Sequence, residues 1–134
     1  SDLQKYRTAL DTRPPKIRDV NIESSVRGSK LDARGQIIVT WKTDEPSTSQ
    51  VLFGQNQQGV LVNQTSEDTR LNTEHSVVVS DLPASSIFRV QAMTKDKADN
   101  STQSETQTVI IGRGTNSIFD TIFDAIQKIF GVKA

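Results

Sequence analysis

Through the middle of the chain apolar and polar residues alternate with a period of two, and toward both ends the period becomes helical. Ile37, Val39 and Trp41 alternate with Ile38, Thr40 and Lys42, so the first three share one face of a strand. Val51 and Phe53 repeat the pattern before Gly54. Val77 and Val79 lead to Leu82; Phe88, Val90 and Ala92 share a face; Val109 and Ile111 form the last run. Ile17, Val20 and Ile22 make an irregular first strand, and Val60 to Val62 a weaker, edge-like one. Turn formers stand between these runs: Gly28, Asp44-Glu45-Pro46, Gly54, Gly59, Leu82-Pro83 and Asp99-Asn100. The spacing predicts an all-β chain of seven short strands in two packed antiparallel sheets. The predicted core is Ile37, Val39, Trp41, Val51, Phe53, Val77, Val79, Leu82, Phe88 and Val90. Burying such side chains at roughly 1.5–3 kcal/mol each is enough to offset the entropy of ordering without disulfides.

Residues 1–13 read as an N-terminal arm or short helix, with Leu3, Tyr6 and Leu10 at helical spacing and Pro14-Pro15 ending it. The β domain is expected over 14–111, followed by a linker at 112–115. From 116 to 131 the period is again helical. Ile118, Phe119, Ile122, Phe123, Ile126, Ile129 and Phe130 form a broad apolar stripe, capped by Asn116 or Ser117 and ended by Gly131. That stripe can fold back on its own domain, dock on another chain, or lie on a membrane surface. The membrane reading fits least well, because the polar face carries Asp120, Asp124 and one lysine rather than a basic array.

Composition removes several classes of function. The 134 residues carry 16 basic and 16 acidic side chains, so no global field attracts a nucleic acid backbone. The absence of cysteine excludes disulfides, thiolate metal sites and cysteine nucleophiles. No apolar run reaches the length of a membrane-spanning helix, and no signal peptide pattern is visible in these residues.

Candidate chemistry is sparse. His75 is the sole histidine; its sequence neighbours Glu74 and Ser76 point to the opposite face of a strand, so a structural role is expected. Asp96, Asp99 and Asn100 could offer oxygens to calcium, but they lack the EF-hand spacing and read as a turn. Asp44 and Glu45 also read as turn residues rather than an acid/base pair. Gly112-Arg113-Gly114 lacks the spacing of a phosphate loop. Asn63-Gln64-Thr65 and Asn100-Ser101-Thr102 match the N-glycosylation pattern, and there is no Arg-Gly-Asp. Neither a catalytic set nor a cofactor or metal site is expected.

Three stretches carry a family resemblance. Val39-Thr-Trp41-Lys-Thr-Asp-Glu-Pro46, Glu74-His-Ser-Val-Val-Val-Ser-Asp-Leu82 and Phe88-Arg-Val-Gln-Ala-Met-Thr-Lys-Asp96 with Asp99-Asn100 resemble strands of a fibronectin type III domain. The resemblance covers Pro15 to Ile111. It is to the fibronectin-like domains of microbial surface and secreted proteins, and also to the sandwich that precedes purple acid phosphatase catalytic domains. It implies a seven-stranded immunoglobulin-like β-sandwich, here with an N-terminal arm and a C-terminal amphipathic helix. Phe88 stands where the family usually has a tyrosine, and Pro83 follows Leu82 one place early, so the corner is altered.

The expected function is a non-catalytic structural or adhesive module, extracellular or on a cell surface, associating with a protein partner or with itself through the C-terminal stripe. Oligomers or filaments would follow from a head-to-tail contact. Nucleic acid and small-molecule ligands are not expected. The alternative is an accessory domain of a larger secreted hydrolase that positions the catalytic domain or binds carbohydrate. A sugar platform needs exposed aromatics, whereas Trp41, Phe53 and Phe88 are predicted core and three of five phenylalanines lie in the stripe.

Overall fold

The strands run past the alternation. Residues 37–42 and 51–53, expected as separate strands around a turn at Asp44-Glu45-Pro46, form one continuous strand through those residues. A short strand at Ser101–Gln103 joins the expected set. The computed structural model describes residues 11–55 and 61–114. Within them lie β1 (Ile17–Arg27), a short 3-10 turn (Lys30–Asp32), β2 (Arg34–Gly54), β3 (Asn63–Gln64), β4 (Asp68–Pro83), β5 (Ser86–Lys95), β6 (Ser101–Gln103) and β7 (Gln107–Ile111). All pairings are antiparallel and form one curled, seven-stranded sheet. The expectation of an all-β chain is met. The predicted arm residues 1–10, the end of the linker and the stripe Ile118–Phe130 lie outside the described residues.

β2 is the organising strand. Its first part, from Arg34 to Thr43, is flanked by β1 and β4; its last part, from Gln50 to Gly54, is flanked by β5 and, at Leu52 and Phe53, by β3. β5 then carries β6 and β7 on its other side. The Ser24 hydroxyl donates to the Ile110 carbonyl at 2.9 Å, which ties β1 to β7 and brings the first and last strands together.

Side chains from both parts of β2 enter one core. Ile37, Val39, Trp41, Val51, Val79, Leu82, Phe88 and Val90 are buried as the alternation predicts, joined by Ala92, Val109 and Ile111. Phe53 and Val77 pack on this cluster but are only half-buried. Val77 sits on β4, whose sole partner among the described strands is β2, and Phe53 is flanked by the two-residue β3. The Val60–Val62 expectation needs correction. Val60 lies outside the described residues, Val62 is exposed and outside any strand, and β3 forms one step later at Asn63–Gln64. Thr65 sets that register, accepting from the Val51 N–H at 3.0 Å and donating its own N–H to the Val51 carbonyl at 2.9 Å.

Two β-bulges keep the apolar faces aligned. In β1 three steps from Arg18 to Asn21 oppose two in β2, and in β4 three steps from Val79 to Leu82 oppose two. Each bulge holds an aspartate at positive φ, Asp19 at 56° and Asp81 at 58°. Aspartate tolerates that conformation better than most residues, and the extra step turns Leu82 rather than Asp81 inward.

Gly35 is a point of close approach between β2 and β7. A Cβ there would lie 2.5 Å from Cγ2 of Ile111, whose side chain is fully buried. Gly35→Ala is therefore expected to cost about 1–3 kcal/mol by overpacking. Urea denaturation followed by circular dichroism would read this as a lower midpoint, and an unchanged midpoint would show that Ile111 can yield.

Candidate functional site

Between its two flanked parts β2 runs through the sequence Thr43-Asp-Glu-Pro-Ser-Thr-Ser-Gln50, and its ladder with β4 is irregular there. Thr43, Ser47, Thr48, Ser49 and Gln50 are all buried, an unusual run of polar groups away from water. Buried polar atoms are costly unless paired, and these find partners. The Thr94 hydroxyl donates to the Thr48 carbonyl at 2.6 Å, the Thr48 hydroxyl accepts from the Lys95 N–H at 3.0 Å, and the Gln50 amide donates to the Thr65 carbonyl at 2.9 Å.

His75 organises the rest of the run. It is buried opposite Trp41, and the two rings stack with centroids 4.9 Å apart and planes 9° from parallel. Its Nδ1 lies 2.7 Å from the Ser49 hydroxyl; its Nε2 lies 2.9 Å from Thr43 Oγ1 and 3.4 Å from Ser47 Oγ. Burial lowers the affinity of this ring for a proton, an effect that the Asp68 carboxylate partly opposes. Asp68 is itself engaged by Arg70, which holds its pKa at about 2. As expected, Glu74 and Ser76 face away and are exposed. The hydroxyls that do meet the histidine come from β2, a convergence invisible in sequence spacing. These groups are buried, with His75 and Trp41 at the floor of a groove that Asp19 and Thr40 also line. The indole Nε1 of Trp41 is buried without a hydrogen-bond partner, a polar cost accepted within the stack.

A second cluster lies at the end of the sheet. Asp11, Glu45 and Asp96 each place a carboxylate oxygen within 4.8 Å of the other two. Asp96 is buried and anchors its own turn: Oδ1 accepts from the N–H groups of Ala98 and Asn100, both at 2.9 Å, and Oδ2 from Asn100 Nδ2 at 3.0 Å. The same Asn100 amide donates to the Asp11 carbonyl at 3.0 Å, and Asp99 completes the turn at φ 64°. Burial works against ionisation of Asp96, but the bonds from Asn100 and Ala98 outweigh it and hold the carboxyl below its usual range. Glu45 moves the other way, raised by burial and then by the negative charge of Asp96. Its Oε1 is buried and unpaired.

These three residues are the described carboxylates that converge closely enough to share a cation. Three oxygens fall short of the six to eight ligands that calcium takes, and those of Asp96 already accept protein N–H groups. The adjoining groove also presents Arg13 and Lys16. The turn reading of Asp96, Asp99 and Asn100 agrees with this geometry; the meeting of Glu45 with Asp96 and Asp11 was not legible from spacing. Asp44 accepts from the Lys16 N–H at 2.7 Å and so secures the start of β1. At the other end, Gly112 accepts from the Ser85 N–H at 2.8 Å. Near Phe88 the Ser86 hydroxyl donates to the Pro83 carbonyl, and Phe88 is buried against Phe53.

Compared with protein-family models, curated proteins and solved structures, the chain has no match.

Proposed function

We propose that the protein is a non-catalytic structural or adhesive module with a fibronectin type III-like β-sandwich, acting outside the cell or on its surface and associating with itself through its terminal segments. The strand order supports the sandwich reading. A single strand that leaves a β1–β2–β4 group and enters a β3–β2–β5–β7 group is the connection two face-packed sheets need, and both groups feed one core. The buried setting of His75 and its hydroxyl partners supports a non-catalytic role, because those groups serve the packing of β2 on β4.

The observation that carries self-association is the cross-strand pair Ile87–Ile110, on the side of β5 and β7 opposite the core. Ile87 is 51% exposed and Ile110 69%, although they are large apolar groups directly opposite one another. They lie beside the point where the chain leaves β7 toward the apolar stripe of Ile118–Phe130. Stripe and exposed pair together would form the apolar centre of an interface. Contact between the stripe of one copy and the sheet of the next is heterologous and propagates.

Size-exclusion chromatography with light scattering tests this. The 134-residue chain is expected to form concentration-dependent oligomers, and a chain ending at Gly114 to be a monomer. Monomers in both cases would overturn the reading.

A further inference from the structure

The hydrogen atoms around His75 can be assigned by elimination. The Thr43 hydroxyl donates to the Glu45 carbonyl at 2.8 Å, and the Ser47 hydroxyl donates to Thr43 Oγ1 at 3.1 Å. With its own hydrogen committed, Thr43 Oγ1 faces Nε2 at 2.9 Å as an acceptor, so Nε2 carries the ring proton. Nδ1 is then the acceptor, and the Ser49 hydroxyl donates to it at 2.7 Å. A neutral imidazole satisfies every contact; an imidazolium does not. A proton on Nδ1 would oppose the Ser49 hydrogen and force that hydroxyl to turn inside a buried site.

We propose that His75 is a proton-sensitive latch: in its neutral form it fastens the Thr43–Ser49 stretch of β2 to β4, and on protonation it releases that stretch.

The surrounding charges do not rescue the cation. On β4, Asp68 is bound in two places by Arg70, and Glu74 stands across the ladder from Lys42 of β2. Asp44 is turned to the Lys16 N–H, and Glu45 meets Asp96. Asp19 of β1 lines the groove beside Trp41 and is paired with Arg18 at 3.2 Å. The ring's proton affinity is lowered by burial, so the folded form stays neutral where an exposed histidine would charge. The sign follows. Below pH about 6.5 the unfolded chain binds a proton that the latched form does not, so stability is full above that value and falls as pH drops below it. Opening of the stretch near Thr43–Ser49 relieves the conflict before the whole sheet is lost.

Nuclear magnetic resonance on the 134-residue protein tests this in three ways. At pH about 7.5, long-range proton–nitrogen spectra of His75 should show the tautomer with the proton on Nε2. On lowering the pH to about 5, amide exchange at 43–49 and 72–76, corrected for intrinsic rates, should accelerate at least about tenfold relative to 88–92. His75→Gln, which cannot titrate, should abolish this acceleration. Ser49→Ala removes the donor to Nδ1 and should move the transition to higher pH; it serves if His75→Gln does not fold. A proton on Nδ1, uniform acceleration across both regions, or an unmoved transition in Ser49→Ala would each overturn the proposal.

Discussion

Trp41→Ala should lower the stability of the domain by about 3–5 kcal/mol, enough to leave a marginal domain largely unfolded. Trp41 is the largest fully buried side chain and packs in the cluster that joins both parts of β2. Removing it opens a cavity and also strips the stacked ring from His75. Phenylalanine retains much of the apolar volume and the aromatic face, and it removes the unpaired indole N–H, so Trp41→Phe should cost less than half as much. Urea titration followed by circular dichroism checks the order, since both variants lack the chain's only tryptophan. Equal losses in the two variants would show that indole shape, rather than burial, determines the effect.

Asp96→Ala should cost about 3 kcal/mol, because it strands the N–H groups of Ala98 and Asn100 and the Asn100 amide in the turn after β5. The loss should depend on pH. The folded carboxyl is held below its ordinary value near 3.8, so its contribution is complete above that value and fades as pH falls through the lower, folded-state value. The stability difference between wild type and variant should therefore be constant from neutral pH to about 5 and shrink in stronger acid. Thermal melts across this range provide the check; a difference that grows on acidification would refute the assignment of Asp96 as the ionised anchor.

Much of the fold was legible because β structure writes its burial into alternation. Ile37, Val39 and Trp41, then Phe88 and Val90, could be placed on an inward face from sequence alone, and they are buried. The β3 shift was not legible, since the Val51–Thr65 exchange that sets it joins residues distant in sequence. Asp44-Glu45-Pro46 read as a turn, whereas these residues continue β2. Thr43, Ser47, Thr48, Ser49 and Gln50 are buried because their side chains find partners on β4, on β5 and at Thr65, and sequence spacing carries no such information. For the same reason His75 could be read as structural, but Ser49 and Thr43 could not be named as its partners. Asp96 was visible as a turn residue, whereas its meeting with Glu45 and Asp11 depends on how three separate segments close at one end of the sheet.

The continuity of β2 bears on how the molecule comes apart. One unbroken 21-residue strand supplies the pairing for β1, β3, β4 and β5. Once β2 is withdrawn, β1, β3 and β4 keep no ladder among the described strands, and β5 keeps only the three-residue β6 and the five-residue β7, so global melting should be a single transition. Assembly is constrained in the same way. Most of its contacts join residues far apart in the chain, a topology that folds slowly compared with helical domains of similar size. A force applied across the two ends would therefore meet resistance in this shared strand, and the molecule would extend in one step rather than by the successive loss of independent parts.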